Sequence, residues 1–293
     1  MALQRLSFFL MSQKGLQVLK GVYSQFGNNV FEFVVSSRDM AIEKDFYEEI
    51  MSFCLDVQIP FFERKDSPEV ISAYTIAISW RWLISAQGGL IVLHDSLLPR
   101  YRGFAPLVNS LKNGEPEIGV TALVASEEYD KGEILGNKKV EVRYPLKISE
   151  AIDIVAPLYQ LLVNELLEQL FSTGNLLSRP QIEEDATYSL WLDEGDYKID
   201  WDNDSEFIAR FVDAVGFPYN GATTEMEQET IKILAGKVVP DVIIENRTSG
   251  KVIFMDNGRP VVVCGRGLYK IEEAVNSAGQ SILPLKKFRV KFK

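Results

Sequence analysis

The chain has 293 residues, of which 46% are hydrophobic and 25% charged, the balance of a globular protein with room for one large domain or two ordinary ones. Its 41 acidic residues against 31 Lys and Arg give a net charge of −10, with no basic stripe of the kind that neutralises a nucleic-acid backbone. No apolar run approaches the roughly 18–20 residues a membrane helix needs, so neither a nucleic acid nor a membrane is expected as a partner.

Residues 6–11 are apolar and β-prone, too short for a signal-peptide core, and read as a first strand. Over 13–26, Leu16, Val18, Leu19 and Val22 make a helical stripe. A second strand, 30–35, precedes a second helix, 45–57, with Phe46, Ile50, Phe53 and Cys54 at helical spacing. A short extended piece at 58–62 is followed by two apolar, β-prone runs at 72–79 and 89–93. Residues 104–113 read as a short helix closed by Asn113-Gly114, and 118–125 and 138–142 as strands flanking the polar loop 126–132. Ser149 caps a long helix reaching about Phe171, which Pro157 is expected to kink or to delay. Strands alternating with helices in this way imply an α/β, Rossmann-like, mostly parallel sheet with helices on both faces, and ligands of such sheets bind at the carboxyl ends of the strands.

Residues 178–185 hold a proline and three acids in a row and look like a linker. Beyond them one helix, 205–215, presents Phe207, Ile208, Phe211, Val212 and Val215 on one face. Short strands at 231–234, 242–245, 250–255, 261–263 and 268–272 then follow, separated by Asn, Gly and Asp turns, the pattern of a small β-barrel-like domain. The expected organisation is a catalytic domain over 1–176, a linker over 177–190, and a C-terminal helix with a small β domain over 191–293. Cys54 and Cys264 lie far apart in apolar settings and read as free thiols of a reducing compartment, the cytoplasm.

His94, the sole histidine, stands where the 89–93 strand ends. Imidazole, with an unperturbed pKa of about 6.5, both takes and gives a proton near neutrality. His94 is therefore a candidate general base; a hydrogen-bonded structural histidine is the alternative. Asp130, in the loop before Gly132, is a carboxylate able to fix an imidazole tautomer, or an ordinary turn residue.

Five pieces carry a resemblance: His94-Asp95-Ser96-Leu97-Leu98-Pro99-Arg100-Tyr101-Arg102-Gly103, Ala105-Pro106, Asn113-Gly114-Glu115, Gly119-Val120-Thr121 and Tyr129-Asp130-Lys131-Gly132-Glu133-Ile134-Leu135. In order and spacing they resemble the folate-dependent formyltransferase family, which includes methionyl-tRNA formyltransferase, glycinamide ribonucleotide transformylase and the nucleotide-sugar N-formyltransferases. More weakly, Trp80-Arg81-Trp82-Leu83-Ile84 occupies the place of the family's pterin loop. Tyr197-Lys198-Ile199-Asp200-Trp201 and Phe217-Pro218-Tyr219-Asn220-Gly221-Ala222 look like the start of its C-terminal domain.

The resemblance implies transfer of a formyl group from N10-formyltetrahydrofolate to a primary amine, without a metal, by an Asn, a His and an Asp acting together. His94 and Asp130 match two of these, as base and partner. The third belongs two residues before the histidine, on the same face of the strand, and here is Val92. Losing one such donor typically costs about 10²–10³ in rate. Asp95 stands where the family has Pro or a small residue. Another donor (a backbone N–H or protonated His94) replaces the Asn, the chemistry has moved to a relative of formyl transfer, or the site binds without catalysing. Folate is expected at Trp82, Leu83, Ile84, Ala125, Ser126, Glu127, Glu128 and Asp130, largely through backbone, and the acceptor at Ser96, Arg100 and Arg102, since guanidinium pairs with phosphate.

The net charge argues against tRNA as acceptor, and the C-terminal β domain against glycinamide ribonucleotide. A 4-amino or 3-amino deoxy sugar on UDP or dTDP is the expected acceptor, a reaction of lipopolysaccharide or surface-glycan biosynthesis. A methionyl-tRNA formyltransferase and a non-catalytic folate- or nucleotide-binding protein are the alternatives. The resemblance further implies a homodimer.

Overall fold

The structure is a computed structural model that describes residues 5–40 and 42–293. It divides into two compact units, the first holding the chain to Leu107 with Glu117–Glu141 and Glu150–Leu190, the second holding Val108–Pro116, Val142–Ser149 and Trp191–Lys293.

In the first unit, β1 (Leu6–Leu10), α1 (Ser12–Phe26), β2 (Phe31–Ser36), α2 (Tyr47–Asp56) and β3 (Phe61–Glu63) wind outward in one direction. The chain then returns to the other side of β1 as β4 (Tyr74–Ile78) and β5 (Gly89–His94). After a two-residue strand β6 (Arg102–Gly103) and helix α3 (Pro106–Asn113), the hairpin β7 (Glu117–Val124) and β8 (Ile134–Glu141) completes the sheet. Helix α4 (Ile148–Thr173), continuous through Pro157, and the two-residue strand β9 (Tyr188–Ser189) follow. The seven-stranded order is β3-β2-β1-β4-β5-β7-β8, parallel except where β7 and β8 join. The expected class, a Rossmann-like and mostly parallel α/β sheet, is the one observed. Every residue of β1 is buried, as a central strand covered on both faces requires.

The two layers over the sheet differ in kind. Helix α1 packs tightly on the Leu10 side, where a Cβ at Gly15 would lie 3.1 Å from that of Leu10. Ring contacts at 5.5 Å (Tyr23–Phe53) and 5.4 Å (Phe26–Phe171) join α1 to α2 and α4 in one helical layer. On the opposite face Phe9, Phe33, Val35, Ala77 and Val70 form an apolar floor, with Trp80, Ile84, Ala86, Leu90 and Val92 packed against it. Helices were expected on both faces, but among the described residues no helix packs against that floor. The connection from β4 to β5 spans only residues 79–88, fewer than the dozen or so a helical crossover takes, and irregular chain makes the second layer instead. Strand alternation puts Val92 and His94 on this face.

The second unit carries α5 (Ser205–Ala214) and an antiparallel sheet of β10 (Ala222–Met226), β11 (Glu229–Val239), β12 (Val252–Asp256), β13 (Arg259–Val263) and β14 (Leu268–Asn276), in the order β10-β11-β14-β13-β12. The last residues bridge both of its edges, Phe292 to Met226 and Lys291 to Lys251, and so close the sheet into a small barrel. Trp201 fills it against Phe292 and Tyr269, its indole N–H donating to Thr224 Oγ1 at 2.9 Å. Residues 242–245, expected as a strand, form a loop instead. Arg247 holds Asp241 through two bonds of 2.7 and 2.8 Å and donates to the carbonyls of Val242, Cys264 and Gly267, drawing this stretch away from any ladder. Strand β10 was not foreseen from its polar composition. Cys54 and Cys264 are free and buried, and burial pushes both thiols up to about 12.

Because Phe292 is buried in the barrel and belongs to the segment that closes it, Phe292→Ala is expected to destabilise the second unit by about 3–5 kcal/mol. Urea unfolding followed by far-UV circular dichroism measures this.

Candidate active site

The β5 strand stops at His94 because the next residues turn back on themselves. Ser96 N–H donates to the His94 carbonyl at 2.9 Å, and Ser96 Oγ to the Arg100 carbonyl at 2.7 Å. Thr121 Oγ1, on the adjacent β7, donates to the Ser96 carbonyl and accepts from Leu98 N–H. Asp95 points its carboxylate to the ammonium of Lys14, itself only 5% exposed in the first turn of α1, and accepts from Tyr159 OH at 2.7 Å. A buried lysine needs such a counter-charge, which gives Asp95 a structural role where the resemblance leads one to expect Pro or a small residue.

His94 is 7% exposed, and both of its ring nitrogens face oxygen. Nε2 lies 2.8 Å from the Tyr101 carbonyl. A carbonyl only accepts, so Nε2 carries a hydrogen in this arrangement. Nδ1 is 3.4 Å from Asp130 Oδ1, within ion-pair range but longer than a normal N–H···O bond. The other oxygen, Asp130 Oδ2, accepts from Gly103 N–H at 2.8 Å. Asp130 and Tyr101 both have left-handed backbone, with φ of 56° and 59°, a conformation that non-glycine residues keep only where their surroundings hold them. Two residues after Asp130 the chain passes so close to β7 that a Cβ at Gly132 would fall 1.6 Å from the Val124 carbonyl oxygen, so only glycine fits.

The stretch that reads as a linker is the part sequence reasoning missed. Arg102 N–H and Phe104 N–H donate to the carbonyls of Thr187 and Ser189, and Tyr101 N–H to Thr187 Oγ1, which fastens β6 to β9. The Arg102 side chain, 1% exposed, gives Nε and Nη2 to Gln181 Oε1 and Nη1 to both oxygens of Glu183 and to Tyr188 OH. The fork of Arg102, expected to face the acceptor, is thus taken up by Gln181, Glu183 and Tyr188. Ser96, likewise expected to contact the acceptor, is buried and its hydroxyl donates to the Arg100 carbonyl, bracing its own loop. Arg100 is exposed, its guanidinium 5.3 Å from the centre of the Tyr101 ring. No local period announces these pairings, because the partners of Arg102 lie 79–86 residues away.

Val92 rests between the apolar floor and Leu98, Leu123 and Ile134, partly buried, with nothing to offer an oxygen. Of the segments expected to take folate, Leu83 is 94% exposed, and Trp82 stacks edge-on against Trp80 at 5.1 Å with the Arg64 guanidinium 4.2 Å over its ring. The Trp80 indole N–H is buried without an acceptor among the described residues. In the 125–130 loop, Ala125 N–H is committed to the Leu90 carbonyl at 2.7 Å, Ser126 Oγ donates to the Glu128 carbonyl, and Glu127 and Glu128 are exposed. Among the described residues no group of three or more His, Cys, Asp and Glu side chains could hold a metal ion, and no helix is long and apolar enough to cross a membrane.

The Arg102 guanidinium, chiefly through its hydrogen bonds, holds the Glu183 carboxyl below the usual carboxylate range. A depressed carboxyl contributes stability that is complete above its unfolded value and lost as pH falls through the folded one. Thermal stability is therefore expected to drop on acidification between about pH 5 and 3. Glu183→Gln should flatten part of that drop in melts recorded across the range.

Residues 65–153 match a model of the formyl transferase family, and 192–292 a model of the formyl transferase C-terminal domain. The chain is 29% identical over 228 residues to the methionyl-tRNA formyltransferase of Nitrosomonas europaea, covering 78% of this chain and 70% of that one. To the methionyl-tRNA formyltransferase of Acidovorax ebreus it is 30% identical over 219 residues, 75% of this chain and 67% of that. Among solved structures, WlaRD, described as a sugar 3N-formyl transferase in the presence of dTDP and 5-N-formyl-THF, superposes with a TM-score of 0.69 at 14% identity, over 94% of this chain and 98% of that one. The fold, the paired His94 and Asp130 and the two matched models lead to one conclusion: this chain belongs to the folate-dependent formyltransferase family.

Proposed function

We propose that this protein transfers the formyl group of N10-formyltetrahydrofolate to the primary amine of an amino deoxy sugar carried on UDP or dTDP, with His94 as general base and Asp130 as its partner. The observation that carries the reading is the pairing of the only imidazole with Asp130 at the end of β5, on the sheet face whose apolar floor Trp80 and Ile84 pack against. The residues present suit the folate. A pterin presents a ring face and both donors and acceptors, and Trp82, Leu83 and the orphaned Trp80 N–H offer an aromatic edge, apolar surface and a donor in need of a partner.

N10-formyltetrahydrofolate supplies the formyl carbon when bound, and its N10, on leaving, takes the proton that balances the exchange. His94 accepts the proton of the incoming amine. To do so the ring must leave the Tyr101 carbonyl as its Nδ1–H tautomer, which frees Nε2 to take the proton, while Asp130, held by Gly103 N–H, faces Nδ1–H and stabilises the imidazolium that results. The carbonyl oxygen that gains charge finds no donor at Val92, which leaves the reaction slower than its relatives' by the worth of one such bond.

Two observations favour a nucleotide sugar as acceptor. The net charge is −10, and the solved sugar formyl transferase is similar along nearly its whole length. Exposed Arg100 is the candidate for the nucleotide phosphates, and the exposed rings of Phe104 and Tyr129, 6.1 Å apart and next in sequence to Gly103 and Asp130, offer flat surface beside the pair. The same reading places the reaction in the cytoplasm, in surface-glycan synthesis, with a homodimer as the working form. Methionyl-tRNA is the second reading, carried by the names of the sequence relatives.

The test supplies N10-formyltetrahydrofolate with UDP- and dTDP-linked 3- and 4-amino sugars in parallel with methionyl-tRNA. Turnover is expected with an amino sugar, lowered about 10²–10⁴-fold by His94→Ala. Val92→Asn should raise kcat by up to about 10² while costing some stability in an apolar setting. Turnover of methionyl-tRNA alone would overturn the acceptor, and activity indifferent to His94→Ala the base. Folate binding without turnover of any amine would leave a binding protein.

A further inference from the structure

Resting on the formyl-transfer reading, we propose that Gln181 is a positioning residue that sets Asp130 against His94. Its amide bridges the two stretches of chain that surround the imidazole. Nε2 donates to the carbonyls of Asp130 at 2.6 Å and Gly132 at 2.8 Å. Oε1 accepts from Arg102 Nε at 3.0 Å and Nη2 at 2.9 Å. Two donated and two accepted bonds exhaust the capacity of a primary amide. They also fix its orientation, since a flip would turn Oε1 toward two carbonyl oxygens and the NH₂ toward a guanidinium.

Each end of this bridge leads to the pair. On one side lies Asp130, in a left-handed conformation at φ 56° that needs outside support; the clasp on the carbonyls of residues 130 and 132 supplies it. On the other lies Arg102, between Tyr101, whose carbonyl takes the His94 Nε2 hydrogen, and Gly103, whose N–H holds Asp130 Oδ2. Gln181 touches neither imidazole nor carboxylate. Its part is to keep the loop that carries Asp130 in register with the strand end that carries His94. The stretch around it, with Pro180 before and three acids after, reads as a solvated tether by composition.

Gln181→Glu tests this with little change in shape. It replaces the donor half of the amide by an acceptor facing two carbonyls, yet keeps oxygen on Arg102. Expected is a fall in kcat of about 10–100-fold, as for a small misplacement of reacting groups, with both KM values within about threefold of wild type. A second readout is independent of turnover. The Gly103 amide hydrogen, held by Asp130 Oδ2, should exchange at least about tenfold faster with solvent, while amides of β1 keep their rates. Gln181→Leu, which adds no charge, is the second variant should the first not fold. Unchanged kcat together with unchanged Gly103 exchange overturns the proposal, as does a loss of Gly103 protection matched throughout the sheet. If wild type turns over no amine, the formyl-transfer reading fails and the Gly103 exchange still decides the role of Gln181.

Discussion

A buried imidazole has two nitrogens to satisfy, and the catalytic unit is arranged around satisfying those of His94. One nitrogen meets the Tyr101 carbonyl at 2.8 Å, the other faces Asp130 at 3.4 Å, and both partners sit on left-handed backbone that must be held in place. The holding is done from three directions. Thr121 and Ser96 fix the turn after β5, Gly103 N–H fixes the carboxylate, and the segment before β9 fastens the whole from outside through Arg102. A strand end of this kind is where an open α/β sheet offers ligands access, and the two-residue β6–β9 ladder pairs the chain next to it, Arg102 with Tyr188 and Gly103 with Ser189.

The face that bears His94 differs from the helical face in what covers it. With no crossover helix between β4 and β5, the apolar floor of Phe9, Phe33 and Ala77 is roofed by Trp80, Ile84 and Ala86. Within that roof the Trp80 indole N–H is buried without an acceptor among the described residues. Such a roof suits a ligand that brings acceptors. On the same face Val92 trades a hydrogen-bond donor for apolar contact with Leu98, Leu123 and Ile134.

Much of this was legible in the sequence because it rests on local pattern. The stripe of Leu16, Val18, Leu19 and Val22 gives α1, the apolar run before His94 gives a buried strand, and alternation alone puts Val92 beside the histidine. What escaped depends on partners distant along the chain. A guanidinium is equally at home on a phosphate or between Gln181 and Glu183, and nothing in the sequence near Arg102 foretells the bonds to Gln181 and Glu183 that it makes. The same holds for the acids around residue 183, whose charge suggests solvent until Arg102 is placed next to them. Arg247 likewise turned a β-prone run at 242–245 into a loop by gathering carbonyls that its sequence position does not reveal.

The account stands on the clasp of the one imidazole, and a protein with a single histidine lets it be observed without assignment. Nitrogen-15 labelling of histidine reports which ring nitrogen carries hydrogen and whether that hydrogen is shielded from solvent. In the free protein Nε2 should be proton-bearing and slow to exchange, held by the Tyr101 carbonyl, and the signal should change when an amino-sugar nucleotide and a folate are added together. An Nε2 that is bare and open to water in the free protein, with no response to those ligands, would contradict it.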